Sequence, residues 1–169
     1  YTTGEKLAND VVAIIEQSME KISGPISHYL DQIDISIEPK SREEILEIKK
    51  HNTSKPQDMI TERNINWCNL MLEYHDNSSM SNILPVYIQT LNIGNWKLVG
   101  FSREATSEYS LGVKEMWPSK LVSVASYTND VSSYLPTNLH IEKKNYEGLQ
   151  SFYWYGVPNT FPYTVKETI

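Results

Sequence analysis

Two apolar periodicities, one helical and one strand-like, take turns along this chain, and this switching constrains its fold more than any other feature. Near the start, apolar side chains three or four positions apart predict an amphipathic helix with one buried face: Leu7, Val11, Ile14, Ile15, Met19 and Ile22. Soon afterwards, isoleucines at 33, 35 and 37 alternate with polar residues, which is typical of a half-exposed strand. A chain that mixes both periods is expected to pack helices against a sheet.

The rest of the chain continues this alternation. Ser41 and Glu44 form the pattern of a capping box at the start of a short helix, and a longer helix carrying Trp67 follows a polar loop. Apolar runs at 84–92 and 96–101 predict two strands, and Gly94-Asn95 between them predicts a hairpin. A helix over 105–116 and a buried strand over 120–127 come next. We therefore predict an α/β fold, a mixed β-sheet flanked by helices, with residues 1–169 forming a single unit.

Composition and charge narrow the range of partners. The chain has 40% hydrophobic and 21% charged residues, which is ordinary for a globular domain. Its formal net charge of −6 argues against nonspecific nucleic-acid binding. It contains no apolar run long enough to predict a transmembrane segment. Its single cysteine, Cys68, lies in an apolar helical stretch and is expected to be a buried, unreactive thiol.

Two residues follow predicted strands in positions that suit ligand binding. Glu104 lies between a strand and a helix, and Tyr134 lies in the loop after the next strand. In open α/β sheets, such strand ends are where ligands bind, so the two side chains could meet. Residue chemistry alone leaves other interpretations open. A glutamate in the first turn of a helix complements the helix dipole, and a tyrosine before Leu-Pro packs in a turn.

Three segments of the second half carry a family resemblance. They are Leu98-Val-Gly-Phe-Ser-Arg-Glu104-Ala-Thr-Ser-Glu108-Tyr, Tyr127-Thr-Asn-Asp-Val-Ser-Ser-Tyr134-Leu-Pro-Thr137 and Asn145-Tyr146-Glu147-Gly148. Together they resemble the C-terminal part of the catalytic domain of the neutral/alkaline ceramidases, zinc amidases that cleave the N-acyl bond of ceramide. The order of predicted elements resembles the family over most of the chain, but only residues 84–157 are sequence-specific. The resemblance implies that the chain belongs to a larger catalytic domain.

The resemblance also implies roles for particular residues. Glu104 matches a glutamate that ligates zinc, Tyr134 matches a tyrosine ligand, and Tyr146 matches a tyrosine that helps to polarise the scissile carbonyl. Zinc accepts oxygen ligands, and a catalytic site holds about three protein ligands and a water. The implied substrate is a ceramide-like lipid, and the family implies a secreted or cell-surface location.

The sequence departs from the family pattern in three respects. One is Val131, which stands where some members have the first tyrosine of the Tyr134 segment. Ser102-Arg103 replaces the usual Pro-Gly before the ligand glutamate, which could displace the Glu104 carboxylate. The family's two histidine ligands and a serine segment lie further upstream, and neither has a match here. The histidines present are expected to be ordinary surface or core residues: His28, His51, His75 and His140. The implied partner is therefore a missing N-terminal half of the catalytic domain, without which this chain is expected to be inactive and to bind zinc weakly.

Two other functions stay open. A non-catalytic module built on the same half-domain could use its 11 tyrosines and four tryptophans to line a lipid or sugar groove. A family member could also act on an amide other than ceramide. The aromatic run 152–155 would either face the missing half or fill the chain's own core.

Overall fold

A computed structural model describes residues 2–118 and 121–169, and it confirms the predicted α/β fold with helices around a mixed sheet. The strands are β1 Ile26–Ser36, β2 Ile83–Ile93, β3 Trp96–Phe101, β4 Glu104–Ala105, β5 Leu121–Ala125 and β6 Tyr134–Leu135. The helices are α1 Thr2–Ile15, α2 Arg42–Thr53, α3 Met59–Asp76, α4 Ser107–Met116, α5 Asn138–Glu142, α6 Tyr146–Leu149, α7 Phe152–Tyr155 and α8 Val165–Thr168.

The main sheet has the strand order β1-β2-β3-β5. The pairs β1/β2 and β2/β3 are antiparallel, whereas β5 runs parallel to β3 after the crossover through α4. The predicted hairpin joins β2 to β3 through Gly94, whose φ of 55° lies in the left-handed region that glycine tolerates. The predicted strand over 120–127 corresponds to β5, although Lys120 itself lies outside the described residues. The expectation that this strand is buried is wrong, since no residue of Leu121–Ala125 is buried.

Two apolar clusters hold these elements together. The first lies between the sheet, α4 and the end of the chain, and includes Ile35, Val86, Phe101, Tyr109 and Val165. The second joins α2, α3 and α7, and consists of Ile45, Trp67, Cys68, Met71 and Phe152. Cys68 is buried as predicted, and burial raises the pKa of its thiol to about 11, so the thiolate is disfavoured at neutral pH.

The prediction of a buried face on the first helix is wrong. Helix α1 has no buried residue, and its apolar side chains are exposed: Leu7, Val11, Val12, Ile14 and Ile15. It also ends earlier than the pattern suggests, since the N–H of Gln17 closes a tighter turn on the carbonyl oxygen of Ile14 at 3.1 Å. The periodicity predicted the helix correctly, but no other described element covers its apolar face.

The second helix runs further than predicted. Its capping box is confirmed, because the Ser41 and Glu44 side chains each accept from the other's backbone N–H. The helix then continues through residues expected to form a loop, because the buried side chain of Asn52 donates to Ile48 O at 2.7 Å and accepts from Asn64 at 3.0 Å.

None of the helices in residues 2–118 and 121–169 is long and apolar enough to cross a membrane.

Candidate functional site

Glu104 and Tyr134 are direct neighbours in a short parallel ladder. Strand β4 pairs with β6, and the register places Glu104 opposite Tyr134 and Ala105 opposite Leu135. The N–H of Glu104 donates to Ser133 O at 2.9 Å, and the N–H of Thr106 donates to Leu135 O at 3.4 Å. The two residues that the sequence places at separate strand ends therefore lie side by side.

The Glu104 carboxylate changes the pKa of two neighbouring tyrosines. A hydrogen bond to the Glu104 carboxylate is the largest cause that raises the pKa of Tyr134, and partial burial and the negative charge of Glu104 add to it. The same carboxylate raises the pKa of Tyr127 through a hydrogen bond, followed by smaller effects of burial and charge. The Glu104 carboxylate thus disfavours the ionised form of both phenols.

Tyr146 joins the same group of side chains. Its ring lies 5.8 Å from that of Tyr134, centroid to centroid, in an edge-to-face arrangement. Tyr155 is a further neighbour, because its pKa is raised by burial first and then by the charges of Glu104 and Tyr146. We call these five residues the tyrosine–glutamate cluster: Glu104, Tyr127, Tyr134, Tyr146 and Tyr155.

Two members of the cluster were not predicted as site residues. Tyr127 comes directly after β5, so the strand-end argument that singled out Glu104 applies equally to it. Tyr155 ends the aromatic run 152–155, for which the sequence left surface and core roles open. The structure divides that run, since Phe152 is buried while Trp154 and Tyr155 are exposed.

The turn before Glu104 retains a glycine-like backbone without a glycine. Arg103 has a φ of 65°, and its side chain lies inside the molecule with only 1% of the residue exposed. Its guanidinium donates to Pro85 O at 2.9 and 3.0 Å and to Ser133 Oγ at 2.6 Å. These bonds tie the residue before Glu104 to the residue before Tyr134. They offset the cost of a left-handed conformation in a residue that carries a Cβ.

Two serines fix the backbone on either side of this turn. Ser102 exchanges hydrogen bonds with Tyr87, accepting from its N–H at 2.8 Å and donating its own N–H to Tyr87 O at 2.9 Å. Ser126 Oγ accepts from the N–H of Ala105 at 2.7 Å and donates to Arg103 O at 3.0 Å. Because both neighbours of Glu104 are held, the carboxylate starts from a fixed backbone position despite the Ser-Arg replacement.

Tyr146 is positioned by the glycine two residues after it. The N–H of Gly148 donates to the Oδ1 of Asn145 at 3.0 Å, which caps α6. Gly148 is buried against α5, and a Cβ added there would overlap the carbonyl oxygen of His140. Only glycine lets α6 approach α5 this closely, so the Tyr146-Glu147-Gly148 segment sets the position of the Tyr146 ring.

The donors of the cluster suit part of a zinc site. A carboxylate and a phenol side by side are oxygen ligands that zinc accepts, whereas a complete catalytic site needs about three protein ligands. No group of three or more His, Cys, Asp or Glu residues suited to a metal occurs among the described residues. Two of the four histidines have other partners, since His75 contacts Lys40 O and His140 contacts Thr137. The cluster offers two oxygen donors of the kind that a zinc site uses.

Comparison with known proteins adds no relative. No protein-family model matches the chain, and neither the curated proteins nor the solved structures contain a significant match. The chemistry of the cluster must therefore be inferred from its geometry and from the three segments that resemble the ceramidases.

Proposed function

We propose that this chain is the C-terminal part of the catalytic domain of a zinc-dependent amidohydrolase of the neutral/alkaline ceramidase type. The reaction is hydrolysis of an N-acyl amide, with ceramide giving sphingosine and a fatty acid. One observation supports this most: the three residues that the resemblance selects, from three separate segments, lie together in one cluster. Three unrelated surface residues would have no reason to meet in this way.

In this proposal Glu104 and Tyr134 hold zinc, and a missing N-terminal half of the domain supplies the remaining ligands. When bound, zinc lowers the pKa of its water to about 7 and polarises the amide carbonyl. Glu104 contributes a carboxylate whose backbone is held by Arg103 and Ser126. Tyr134 contributes the oxygen of a phenol whose pKa the neighbouring Glu104 carboxylate raises.

Tyr146 acts on the substrate carbonyl. Its side chain is 42% exposed, so the hydroxyl is accessible from solvent while the ring packs against Tyr134. It donates a hydrogen bond to the carbonyl oxygen as negative charge develops there in the transition state. Tyr127 and Tyr155 lie near Glu104, whose charge raises the pKa of both phenols after larger effects of hydrogen bonding and burial.

An exposed apolar surface supports the existence of a missing half. Helix α1 presents Leu7, Val11 and Ile14 to solvent, and Ile26 and Leu30 at the start of β1 are also exposed. Exposed apolar side chains in such numbers are typical of a protein interface. In the proposal, the N-terminal half of the domain covers it.

A second candidate is a non-catalytic module that binds a lipid or a sugar. The observation in its favour is an aromatic pocket of about 360 Å³ next to the cluster, lined in part by Trp67, Tyr153 and Trp154. Such a module needs the pocket but has no use for the Glu104–Tyr134 pair. The two functions are therefore separated by mutation of Glu104.

The test is amidase activity of the intact parent protein on a fluorescent N-acyl sphingosine with added zinc. We expect Glu104→Gln to lose most of the activity, about a hundredfold or more, because the metal loses a charged ligand. We expect Tyr146→Phe to lower kcat by about tenfold to a thousandfold through loss of one oxyanion donor. The controls are Glu62→Gln and Tyr163→Phe, which change exposed residues of the same types.

Each result has a distinct meaning. Wild-type rates in Glu104→Gln would contradict the role of Glu104 as a ligand. Absence of amidase activity in the intact protein, together with binding of lipid or sugar at the aromatic pocket, would favour the binding module.

A further inference from the structure

A second feature lies beside the tyrosine–glutamate cluster and has no role in the zinc chemistry. It is the aromatic pocket of about 360 Å³ described above, which lies between α3 and α7 and which we call the Arg63 pocket. Its lining includes Arg63, Asn66, Trp67, Leu70, Trp154 and Tyr155. All but one of these side chains are apolar, aromatic or neutral, so the cation stands out.

Arg63 is a buried cation without an acidic partner. It is 8% exposed, and no carboxylate lies within ion-pair distance of it in the part of the chain that the structure describes. Its Nε and Nη2 both donate to Asn64 Oδ1, at 3.0 and 2.7 Å. A guanidinium has five N–H groups, so three of them, on Nη1 and Nη2, remain for another acceptor.

Aromatic rings hold this guanidinium in place but leave its charge uncompensated. The Cζ atom lies 5.2 Å from the ring centre of Tyr153 and 5.0 Å from that of Trp154. Both distances are within the range of cation–π contacts. The arrangement orders the side chain before a ligand arrives, which lowers the entropy cost of binding an anion.

The pocket and the cluster share a wall. Tyr155 lines the pocket. The pKa of its phenol is raised by burial and then by the charges of Glu104 and Tyr146, so it also lies near the cluster. Burial lowers the pKa of Arg63, and the nearby Tyr146 phenol partly offsets this effect. A ligand group in the pocket would therefore lie next to a substrate held at the cluster.

We propose that the Arg63 pocket binds the carboxylate of an acyl compound, with the guanidinium as the anion site and the aromatic side chains against the apolar part. Arginine binds carboxylates through two parallel N–H bonds, and the three uncommitted N–H groups allow this geometry. The carboxylate has two sources: the fatty acid released by hydrolysis, or an acidic head group on the amide substrate. Only the choice between these sources rests on the proposed amidase function.

The test is calorimetric binding to the intact parent protein, without and with zinc. The ligands are decanoate for the product, N-decanoylglycine for an acidic substrate, and decanamide as the neutral reference. Arg63→Gln removes the charge, and Arg63→Lys keeps the charge but loses the two-pronged geometry. The matched control is Arg42→Gln, because Arg42 is exposed and pairs only with Asp76 at 3.5 Å across the surface.

We expect both carboxylates to bind more tightly than decanamide, and to bind about tenfold to a hundredfold more weakly to Arg63→Gln. Arg63→Lys should lie between Arg63→Gln and wild type, and Arg42→Gln should match wild type. Tighter binding of decanoate would identify the product site, and tighter binding of N-decanoylglycine would identify an acidic substrate. Binding that persists in Glu104→Gln would uphold the pocket even if the zinc assignment fails.

The proposal is overturned if the carboxylates bind no better than decanamide. It is also overturned if folded Arg63→Lys and Arg63→Gln both bind carboxylates as wild type does. In that case the role of Arg63 is to clamp α7 onto α3 through its aromatic contacts.

Discussion

Helix α1 and the turn at Arg103 are opposite cases of how sequence and burial relate. Helix α1 carries a regular apolar stripe, yet none of its residues is buried. Arg103 is a long charged residue, yet it is 1% exposed and bonded to two distant segments. The comparison teaches that periodicity predicts an element, whereas its surroundings decide what is buried.

The two regions also differ in how firmly hydrogen bonds hold their geometry. Before Glu104, the Arg103 side chain donates to Pro85 O and Ser133 Oγ. Ser126 Oγ bonds to the backbone on both sides of Glu104, so the geometry does not depend on one favourable residue. Around α1, the described residues provide no such partners. We therefore expect mutations to have large effects at the turn and small effects on the isolated helix.

The largest effect is expected at Arg103. Arg103→Ala leaves Pro85 O and Ser133 without a buried donor and retains the unfavourable φ, so it should lower the unfolding free energy by about 3 kcal/mol. Arg103→Gly also loses the bonds but tolerates the φ, so its loss should be smaller by about 1 kcal/mol. Denaturant unfolding measures both. Equal stability of Arg103→Ala and the exposed control Arg42→Ala would contradict the account of the turn.

The next effect is expected at Gly148. Gly148→Ala places a methyl group against His140 O, which should push α6 from α5 and cost about 1–3 kcal/mol. In the intact protein it should also reduce amidase activity, because Tyr146 moves with α6. The matched control is Gly112→Ala in α4, where the added methyl group meets open space. There the change should stabilise the helix by about 0.5–1 kcal/mol, and a loss at both glycines would contradict the close-approach argument.

A pH experiment tests the carboxylate–phenol contact. The Glu104 carboxylate raises the pKa of Tyr134, so Glu104→Gln should lower that pKa, measured by NMR of ring-labelled tyrosine. A raised folded pKa stabilises the fold fully below pH of about 10, the unfolded value, and the contribution is lost as pH rises through the folded value. Wild type should therefore lose more stability in strong alkali than Glu104→Gln. The same alkaline profile in both proteins would show that the two side chains do not interact.

The smallest effect is expected on α1. Val12→Thr keeps the shape of an exposed side chain, so unfolding of the isolated chain should change by less than about 0.5 kcal/mol. In the intact parent, where the proposal has a partner covering this face, the same change should cost more than about 1 kcal/mol. An equally small effect in the parent would mean that α1 faces solvent there too.

The sequence predicted the parts of the fold that local patterns determine. The hairpin through Gly94 and the capping box at Ser41 are as expected, because each depends on neighbouring residues. The burial of α1 was predicted wrongly, because it depends on elements far away or absent. Strands β4 and β6 have two residues each, which is too short to produce a recognisable periodicity in the sequence.

For the site, sequence supplied identities but not arrangement. Glu104, Tyr134 and Tyr146 came from the resemblance, and only the β4–β6 pairing and the α5–α6 contact place them together. Arg103 and Arg63 were missed because arginines are mostly exposed, and no local pattern distinguishes a buried one. Tyr127 carried a usable signal, since it lies at the end of a predicted strand.

Diffraction from crystals of the intact parent protein with zinc, recorded at the zinc absorption edge, tests the central claim most directly. We predict an anomalous peak for a zinc ion bound by a Glu104 oxygen and by the Tyr134 phenol oxygen. The peak should lie at about 2.0–2.2 Å from the carboxylate oxygen. Tyr146 should lie beside the open position of the metal. A zinc peak elsewhere, with Glu104 still bonded only to phenols, would contradict the account.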